Sequence, residues 1–396
     1  MAVTPSLASE DASPLSERER RLGVIAAIAC VSAFGASAGL SLPFFSVLME
    51  RLGWSEALIG LNTATMAVGS LVFGPMTPGW MRRYGMRPVL AIAILVTAIG
   101  FGGIFFAGAS KAAWFFFRLC IGAGGVVVFI ASELWINLNV KPERRGAALG
   151  AYATALAGGF ASGPIALELT GYEGAAPFIV ATAMILAALI PVALVRAPVV
   201  EGHEGAAGRM LPLVKRAPAI FSASAVFAAT EATIMSLVPV YVIALGLGQA
   251  AAGRVVVVYG LGTICTQWLI GRGVDRFGPV PMLIGCASVG LAGALATPFA
   301  AATLPSLYAL LFFWGGVIVG VYTVGLSLLG DRFTGQLLPP ANTGFVMGYN
   351  VGALIGPALA GFGMALFGPQ GLPATLAALF ALYLALIVAR RGEETP

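Results

Sequence analysis

The chain has 396 residues, of which 59% are hydrophobic and only 10% carry a formal charge. Soluble domains average roughly 25% charged residues, so the composition excludes an ordinary soluble enzyme, a disordered chain and a disulfide scaffold. Lys and Arg outnumber Asp and Glu by 22 to 17, but the cations are dispersed along the chain, which argues against a nucleic-acid partner. The composition predicts a protein that folds in membrane lipid.

The N-terminal tail, residues 1–21, is polar and lacks the apolar core of a removable signal peptide. Beyond it, Gly, Pro and charged breaks separate twelve hydrophobic runs, most of them as long as the ~20 residues that a helix needs to cross a bilayer. The pattern predicts an all-α integral membrane protein with twelve transmembrane helices. The predicted spans are 22–49, 57–79, 88–108, 112–138, 145–168, 174–196, 216–245, 251–271, 280–300, 306–330, 341–366 and 370–389.

The basic residues predict the orientation of these spans. If the N-terminus is cytoplasmic, all but four of the 22 Lys and Arg residues lie on the cytoplasmic side. The exceptions are Arg51, Lys111 and Arg254 on the opposite side, and Arg118 within the fourth span. The positive-inside rule therefore predicts that both termini are cytoplasmic.

An internal repeat divides the chain into two halves. At a constant offset of 193 residues, Arg83, Gly85 and Pro88 recur as Arg276, Gly278 and Pro281, and Gly159, Gly163 and Pro164 recur as Gly352, Gly356 and Pro357. Two multi-residue patterns that share one offset predict two pseudo-symmetric six-helix bundles, residues 22–196 and 216–389. A central cytoplasmic loop, 197–215, would join them, and residues 390–396 would form a cytoplasmic tail.

The repeat includes a stripe of small residues on one helix face. Gly344, Gly348, Gly352 and Gly356 recur every four residues in the eleventh span, and Gly159 and Gly163 continue the matching stripe in the fifth. Small residues let helix backbones approach closely in lipid, so the stripes predict either static close packing or faces that slide as the halves move. Pro164 and Pro357 end the stripes and are expected to bend each helix.

These motifs resemble the major facilitator superfamily of secondary transporters, over nearly the whole chain. The family signature between spans 2 and 3 reads Gly-x-x-x-Asp-Arg-x-Gly, and the equivalent loop of the second half, with Asp275, Arg276 and Gly278, matches it well. The first-half copy retains Arg83 and Gly85 but has Arg82 at the acidic position. The resemblance implies that both loops are gating elements.

Two further signatures carry the resemblance. An Arg four residues before a Gly in span 4 matches Arg118 and Gly122. In span 5, Gly150, Gly159, Gly163 and Pro164 match a pattern associated with antiporters, usually exporters, although Leu167 and Glu168 replace its closing glycine pair. Residues 132–137 look like poorly characterised bacterial members, which implies a bacterial inner membrane and no particular substrate.

Four ionisable residues, Arg118, Glu133, Glu231 and Glu168 near the outer end of span 5, lie within predicted spans, where such groups usually face a cavity or a partner. Arg118 is expected to bind an anionic substrate group, to bias a nearby carboxyl group, or to hydrogen-bond to backbone carbonyls. Glu133 is expected to form a gating salt bridge with Arg82, Arg83 or Arg87, with a substrate or proton site as the alternative. Glu231, near mid-span, is the main candidate for proton coupling or substrate binding, the alternative being a neutral acid hydrogen-bonded to a neighbouring helix.

Uncharged polar residues near mid-span complete the predicted substrate or coupling site. Gln267, Asn350 and Tyr349 are favoured because amide side chains are disfavoured in lipid. Asn62, Tyr152, Tyr259, Tyr322 and several other polar or aromatic residues are weaker cavity-lining candidates. The sequence shows no phosphate-binding loop, metal-ligand cluster or nucleophile–His–acid set, so no cofactor, metal or enzymatic activity is expected.

The sequence therefore predicts a monomeric transporter that moves a small organic solute by alternating access, with protons as the coupling partner. Export by antiport is favoured over uptake of a nutrient or vitamin-like solute. A non-transporting membrane sensor or a passive channel on the same fold is the alternative from another class.

Overall fold

A computed structural model describes residues 16–140, 142–198, 207–333 and 337–390, except for the side chains of 142–147, 149, 150, 153, 207–211, 275 and 338–340. All of the regular secondary structure in these residues is helical. The helices are α1 (Glu17–Arg51), α2 (Glu56–Phe73), α3 (Thr77–Tyr84), α4 (Met86–Ala107), α5 (Lys111–Asn139), α6 (Pro142–Thr170), α7 (Ala176–Ala187), α8 (Leu189–Leu194), α9 (Ala207–Arg216), α10 (Pro218–Ala244), α11 (Gln249–Phe277), α12 (Pro279–Ala300), α13 (Leu304–Arg332), α14 (Leu338–Phe367) and α15 (Gly371–Arg390).

The helices confirm the predicted all-α membrane fold. Within the described residues, ten helical stretches are long and apolar enough to cross a membrane, and the last of them, Ala341–Arg390, contains both α14 and α15. The second stretch, Glu56–Tyr84, joins α2 and α3 through a short 3-10 turn, and Ala176–Leu194 joins α7 and α8. With α6, which is 29 residues long, the chain has twelve spans. Its first and last described residues consequently lie on the same side, here called the terminal side; the other is the far side.

Helix packing repeats between a first half, α1–α8, and a second half, α10–α15. In the first half α1 packs along α6 and α7, and α5 packs against α2 and α4. The equivalent helices of the second half make the same pairs, with α10 along α14 and α15 and α13 against α11 and α12. The predicted pair of pseudo-symmetric six-helix bundles is therefore present.

The small-residue stripes lie inside the halves, where they pack α6 against α1 and α14 against α10. Gly159 and Gly163 face α1, and a Cβ atom at Gly159 would lie 2.3 Å from the carbonyl oxygen of Ser32. A Cβ atom at Gly352 would likewise lie 1.9 Å from the carbonyl oxygen of Ala225 on α10. Any larger side chain would force these backbones apart, so the stripes pack helices within a half.

Each predicted gating loop turns at a glycine with positive φ. Gly85 has φ +85° and Gly278 has φ +83°, a conformation that residues with a Cβ atom rarely adopt. The preceding residues also correspond, because Arg83 lies over the ring of Tyr84 and Arg276 over the ring of Phe277, at 5.2 and 5.4 Å. The two loops therefore share a local structure. The side chain of Asp275 lies outside the described residues.

Two boundaries differ from those expected from hydropathy. The helix α1 begins at Glu17, because Ser16 and Glu19 form a capping box that extends it into the polar tail. The predicted central loop, 197–215, contains all but the last residue of α9, which packs against α14 and carries Lys215 and Arg216 in its last turn. Cations stabilise the C-terminal end of a helix. The polar residues at the start of α1 and at the end of α9 therefore favour helix where hydropathy alone indicates none.

Candidate functional site

The two halves meet at the far side through a tight contact between α2 and α14. A Cβ atom at Gly60 would lie 2.1 Å from the carbonyl oxygen of Pro357, and one at Gly361 would lie 2.4 Å from that of Glu56. The helices therefore touch backbone to backbone. Pro357, expected to bend the eleventh span, lies inside α14 at this contact.

The repeat relates α6 to α14 and α11 to α2. The helices α6 and α11 also meet, but through polar side chains. Arg254 on α11 hydrogen-bonds and ion-pairs with Glu168 on α6 at 3.3 Å. Arg51 at the end of α1 donates to Gln249 on α11 and, at 3.1 Å, to the carbonyl oxygen of Tyr172 in the first half. These residues and Pro164 line a cavity of about 380 Å³. We call the contacts of Arg51, Glu168, Gln249 and Arg254 the far-side latch.

Glu231, the main candidate from the sequence, lies in the middle of α10 and is half-buried. Its carboxyl oxygen accepts a hydrogen bond of 2.7 Å from the hydroxyl of Tyr349 on α14. The carboxyl group also interacts electrostatically with Tyr322 on α13 and Tyr259 on α11. The structure therefore brings together Glu231 and Tyr349, which the sequence indicated as separate candidates.

An aromatic cluster surrounds this hydrogen bond. The ring centroid of Tyr322 lies 5.3 Å from that of Phe227, 5.1 Å from that of Phe345 and 6.2 Å from that of Tyr349. Phe227 also contacts Tyr349, at 6.1 Å between centroids. Phe227 and Phe345 are buried, whereas the two tyrosines are half-buried, so the tyrosines form the accessible edge of the cluster.

Glu133 interacts with one tyrosine of each half. Its carboxyl group interacts electrostatically with Tyr152 on α6 and with Tyr322, and its side chain is exposed. Two of the three expected partners are engaged elsewhere: Arg87 donates to the carbonyl oxygen of Ala193, and Arg83 lies over Tyr84. Among the side chains that the structure describes, Glu133 has no ion-pair partner, because the loop arginines lie against their own half.

Arg118 is fully buried in the first half. Its Nε donates to Oδ1 of Asn62 at 3.0 Å, one Nη contacts the sulfur of Met66 at 3.2 Å, and the guanidinium lies 5.0 Å from the ring centroid of Phe45. Arg118 Nη2 and Asn62 Nδ2 have no described hydrogen-bond partner. Of the three roles expected for Arg118, bonding to backbone carbonyls is not what the described contacts show.

Gln267 and Asn350 lie apart from these contacts. Gln267 on α11 is half-buried and its side-chain nitrogen has no described partner, whereas Asn350 on α14 donates to the carbonyl oxygen of Val346 on its own helix. The described residues contain no group of three or more His, Cys, Asp or Glu side chains that could hold a metal ion. The site therefore offers two carboxyl groups, tyrosine hydroxyls and aromatic rings.

Sequence reasoning did not find the far-side latch. For Arg51 and Arg254 the sequence indicated only the side of the membrane on which they lie, and Gln249 belongs to no motif. Glu168 gave the one available indication, because it replaces a glycine of the family pattern.

The same family is indicated by the sequence profile of the Major Facilitator Superfamily, which matches residues 25–322 and 220–396. The chain is similar to the uncharacterized MFS-type transporter YfkF of Bacillus subtilis, with 27% identity over 92% of this chain and 95% of that protein. It is also similar to the uncharacterized MFS-type transporter YcaD of Salmonella dublin, with 24% identity over 85% and 87% of the two chains.

Solved structures show the same fold at low sequence identity. The nucleoside transporter NupG aligns with a TM-score of 0.73 and 13% identity over 96% of this chain and 99% of that one. A bacterial homologue of the human lysosomal transporter Spinster, in an inward-facing and occupied conformation, aligns with a TM-score of 0.73 and 14% identity over 95% and 96%. The profile match, the relatives and the fold of this chain agree, and the chain belongs to the major facilitator superfamily.

Proposed function

We propose that this protein is a proton-coupled secondary transporter that exports a small organic solute. Membership of the superfamily implies secondary transport by alternating access between the two halves. The observation that carries the proton coupling is the hydrogen bond between Glu231 and Tyr349, in the middle of α10 and α14.

The surroundings of Glu231 suit a group that gains and loses a proton. The titratable groups that face it are hydroxyls, those of Tyr349, Tyr322 and Tyr259. A tyrosine hydroxyl can donate to a carboxylate and can accept from a carboxylic acid, so both protonation states find a partner. A fixed cation would instead hold the carboxylate form, and none of the described side chains supplies one.

The proposed orientation places the terminal side in the cytoplasm, as the distribution of basic residues predicts. The far-side latch then closes the outer end of the pathway, so the solute enters from the cytoplasm in this conformation. Export rests on the span-5 pattern of Gly159, Gly163 and Pro164. Proton-coupled uptake is the alternative, and a sensor or channel on this fold is the second. We propose that the protein acts as a monomer in the inner membrane.

The test uses purified protein in vesicles that enclose a pH-sensitive dye. Amines, carboxylates, nucleosides and neutral solutes are added in turn, and the internal pH is recorded. We expect one solute class to change the internal pH in wild-type and Glu17→Gln vesicles but not in Glu231→Gln vesicles. A solute that crosses wild-type vesicles without moving protons, and that an imposed pH gradient cannot concentrate, would show a passive channel.

A further inference from the structure

Two carboxyl groups from opposite halves interact with one tyrosine. Tyr322 on α13 interacts electrostatically with both Glu133 on α5 and Glu231 on α10, and Tyr152 on α6 interacts with both Glu133 and Tyr322. These interactions cross the interface between the halves. A carboxyl group from each half therefore borders the region that alternating access would open to one side and then the other.

In the described part of the chain, these two carboxyl groups have no cation beside them. Neither Glu133 nor Glu231 has an ion-pair partner among the side chains that the structure describes, and the buried Arg118 interacts with neither. Glu231 lies in the middle of its span, where an ionisable group is costly unless it has a partner. The described part of the protein supplies no positive charge to balance the carboxylates, so either a proton or a bound cation takes that place.

Buried tyrosine hydroxyls give an independent indication of a ligand. Tyr152 is 5% exposed and Tyr259 is 0% exposed, yet neither hydroxyl oxygen has a described hydrogen-bond partner. Tyr152 interacts electrostatically with Glu133 and Tyr259 with Glu231, so each unpartnered hydroxyl belongs to a residue near one of the two carboxyl groups. Buried polar groups are normally hydrogen-bonded, and an orphaned one calls for an unseen partner.

The aromatic cluster defines the rest of the ligand. Tyr322 and Tyr349 present their half-buried rings beside Glu231, backed by Phe227 and Phe345. A cation within about 6 Å of such a ring centroid is attracted to the ring face, and an apolar body packs against the same surface.

From these contacts we propose that the space between Glu133 and Glu231 binds a lipophilic organic cation, that is, a protonated amine or quaternary ammonium group on an apolar body. The proposal rests on the transport function proposed above and names its substrate class. Protons and the cation compete for the same carboxylates, so release of the cation is accompanied by proton uptake at these groups. The titratable groups that face this space are Glu133, Tyr152, Glu231, Tyr259, Tyr322 and Tyr349.

A pair of probes with the same shape and opposite charge tests the proposal. Tetraphenylphosphonium and tetraphenylborate are titrated into purified protein in a neutral detergent, without any gradient, by isothermal calorimetry. We expect the cation to bind at least about tenfold more tightly than the anion, a difference of about 1.4 kcal/mol. Binding of the cation should weaken as the pH falls and protons occupy the carboxylates.

Variants assign the binding to this space. Glu133→Gln and Glu231→Gln are each expected to weaken phosphonium binding about tenfold or more. Glu17→Gln, an exposed carboxyl in the first turn of α1, is the charge-matched control and should leave it unchanged. Tyr322→Leu should weaken binding while Tyr322→Phe preserves it, because the ring face is retained. Thermal unfolding of each variant shows that a loss of binding is not a loss of folding.

Three results would overturn the proposal: equal or tighter binding of the borate anion, no binding of either probe, or unchanged phosphonium binding in both glutamine variants. Borate binding that is lost in Arg118→Gln would identify an anion site at Arg118 instead. Because binding is measured without a gradient, this outcome is separate from the proton-flux test. A protein that binds the cation but moves no protons keeps the site and loses the proposed function.

Discussion

Arg254 on α11 and Glu168 on α6 form an ion pair between the two halves. The repeat relates them to Leu61 on α2 and Gly361 on α14, the two helices of the other far-side contact. At the latter position α2 and α14 pack through glycine, with Gly361 against the backbone of Glu56. One side of the far-side seal is thus a backbone contact, and the other is a polar bridge beside a cavity. Of the two, the polar bridge is the part whose side chains are exposed.

Breaking this ion pair is expected to shift the protein toward a conformation open on the far side. Both side chains are more than half exposed, at 57% and 58%, and exposed pairs contribute about 0.2–1 kcal/mol. Glu168→Gln should therefore change the ratio of the two conformations by a factor of about 5 at most. Spin labels at Ala109→Cys and Ala302→Cys, in exposed far-side loops of the two halves, report the distance between the halves by pulsed electron resonance in a background with the four native cysteines replaced.

The exchange of both charges provides the control for this experiment. The double variant Glu168→Arg and Arg254→Glu should restore the wild-type distance distribution, because the opposite charges again face each other. An unchanged distribution in Glu168→Gln would mean that the glycine contact between α2 and α14 closes the far side without the ion pair.

Glu231→Gln is expected to abolish proton-driven transport while the protein still inserts and folds. Glutamine preserves the size of the side chain and a hydrogen bond to Tyr349, but it cannot exchange a proton. The measurement is solute accumulation in vesicles under an imposed pH gradient, with solute exchange at equal pH measured alongside. Accumulation at the wild-type level would exclude Glu231 as the coupling group, and Glu231→Asp should retain part of the coupling.

The architecture could be predicted because its signals are local in the sequence. Hydrophobic runs mark the spans, and the 193-residue offset marks the halves. Individual site residues could also be predicted, since Glu231 and Tyr349 are polar positions in apolar runs. Their hydrogen bond could not, because 118 residues separate them and the rotation of each helix about its axis depends on packing across the bundle.

The contacts of the charged residues were the least predictable part. Glu133 was expected to pair with the basic loop between spans 2 and 3, which lies near it along the membrane normal. Depth alone does not identify a partner, and in the structure Glu133 interacts electrostatically with Tyr322 of the other half. The latch was missed for the same reason, because counting Arg51 and Arg254 by side of the membrane says nothing of their partners.

Two neighbouring glycines of α6 should respond oppositely to alanine. At Gly159 a Cβ atom would lie 2.3 Å from the carbonyl oxygen of Ser32, whereas at Gly158 nothing lies within 4 Å. Gly159→Ala should destabilise the first half by about 1–3 kcal/mol, the usual cost of overpacking. Gly158→Ala should stabilise it by up to about 1 kcal/mol, because alanine favours helix. Thermal unfolding in detergent measures both, and a similar response at the two positions would contradict the close packing of α6 on α1.

Asn62→Asp is expected to raise the thermal stability of the protein. Asn62 already accepts from Nε of Arg118 at 3.0 Å, but its own Nδ2 and Arg118 Nη2 have no described partner. An aspartate of the same shape removes one orphaned donor and offers the other an acceptor, and a hydrogen bond to a charged group contributes about 1.5–3 kcal/mol. The desolvation of the new carboxylate opposes this gain, so the net increase should be smaller.

Asn62→Leu separates this explanation from a simple effect of polarity. It leaves Nε of Arg118 unpartnered as well, so the unfolding temperature should fall below that of the wild type. If instead Asn62→Asp lowers the unfolding temperature and Asn62→Leu raises it, Arg118 cannot be a buried cation in need of an acceptor. Transport measured on the stabilised Asn62→Asp variant then tests the charge itself. A carboxylate paired with Arg118 should slow any flux that depends on the unpaired positive charge.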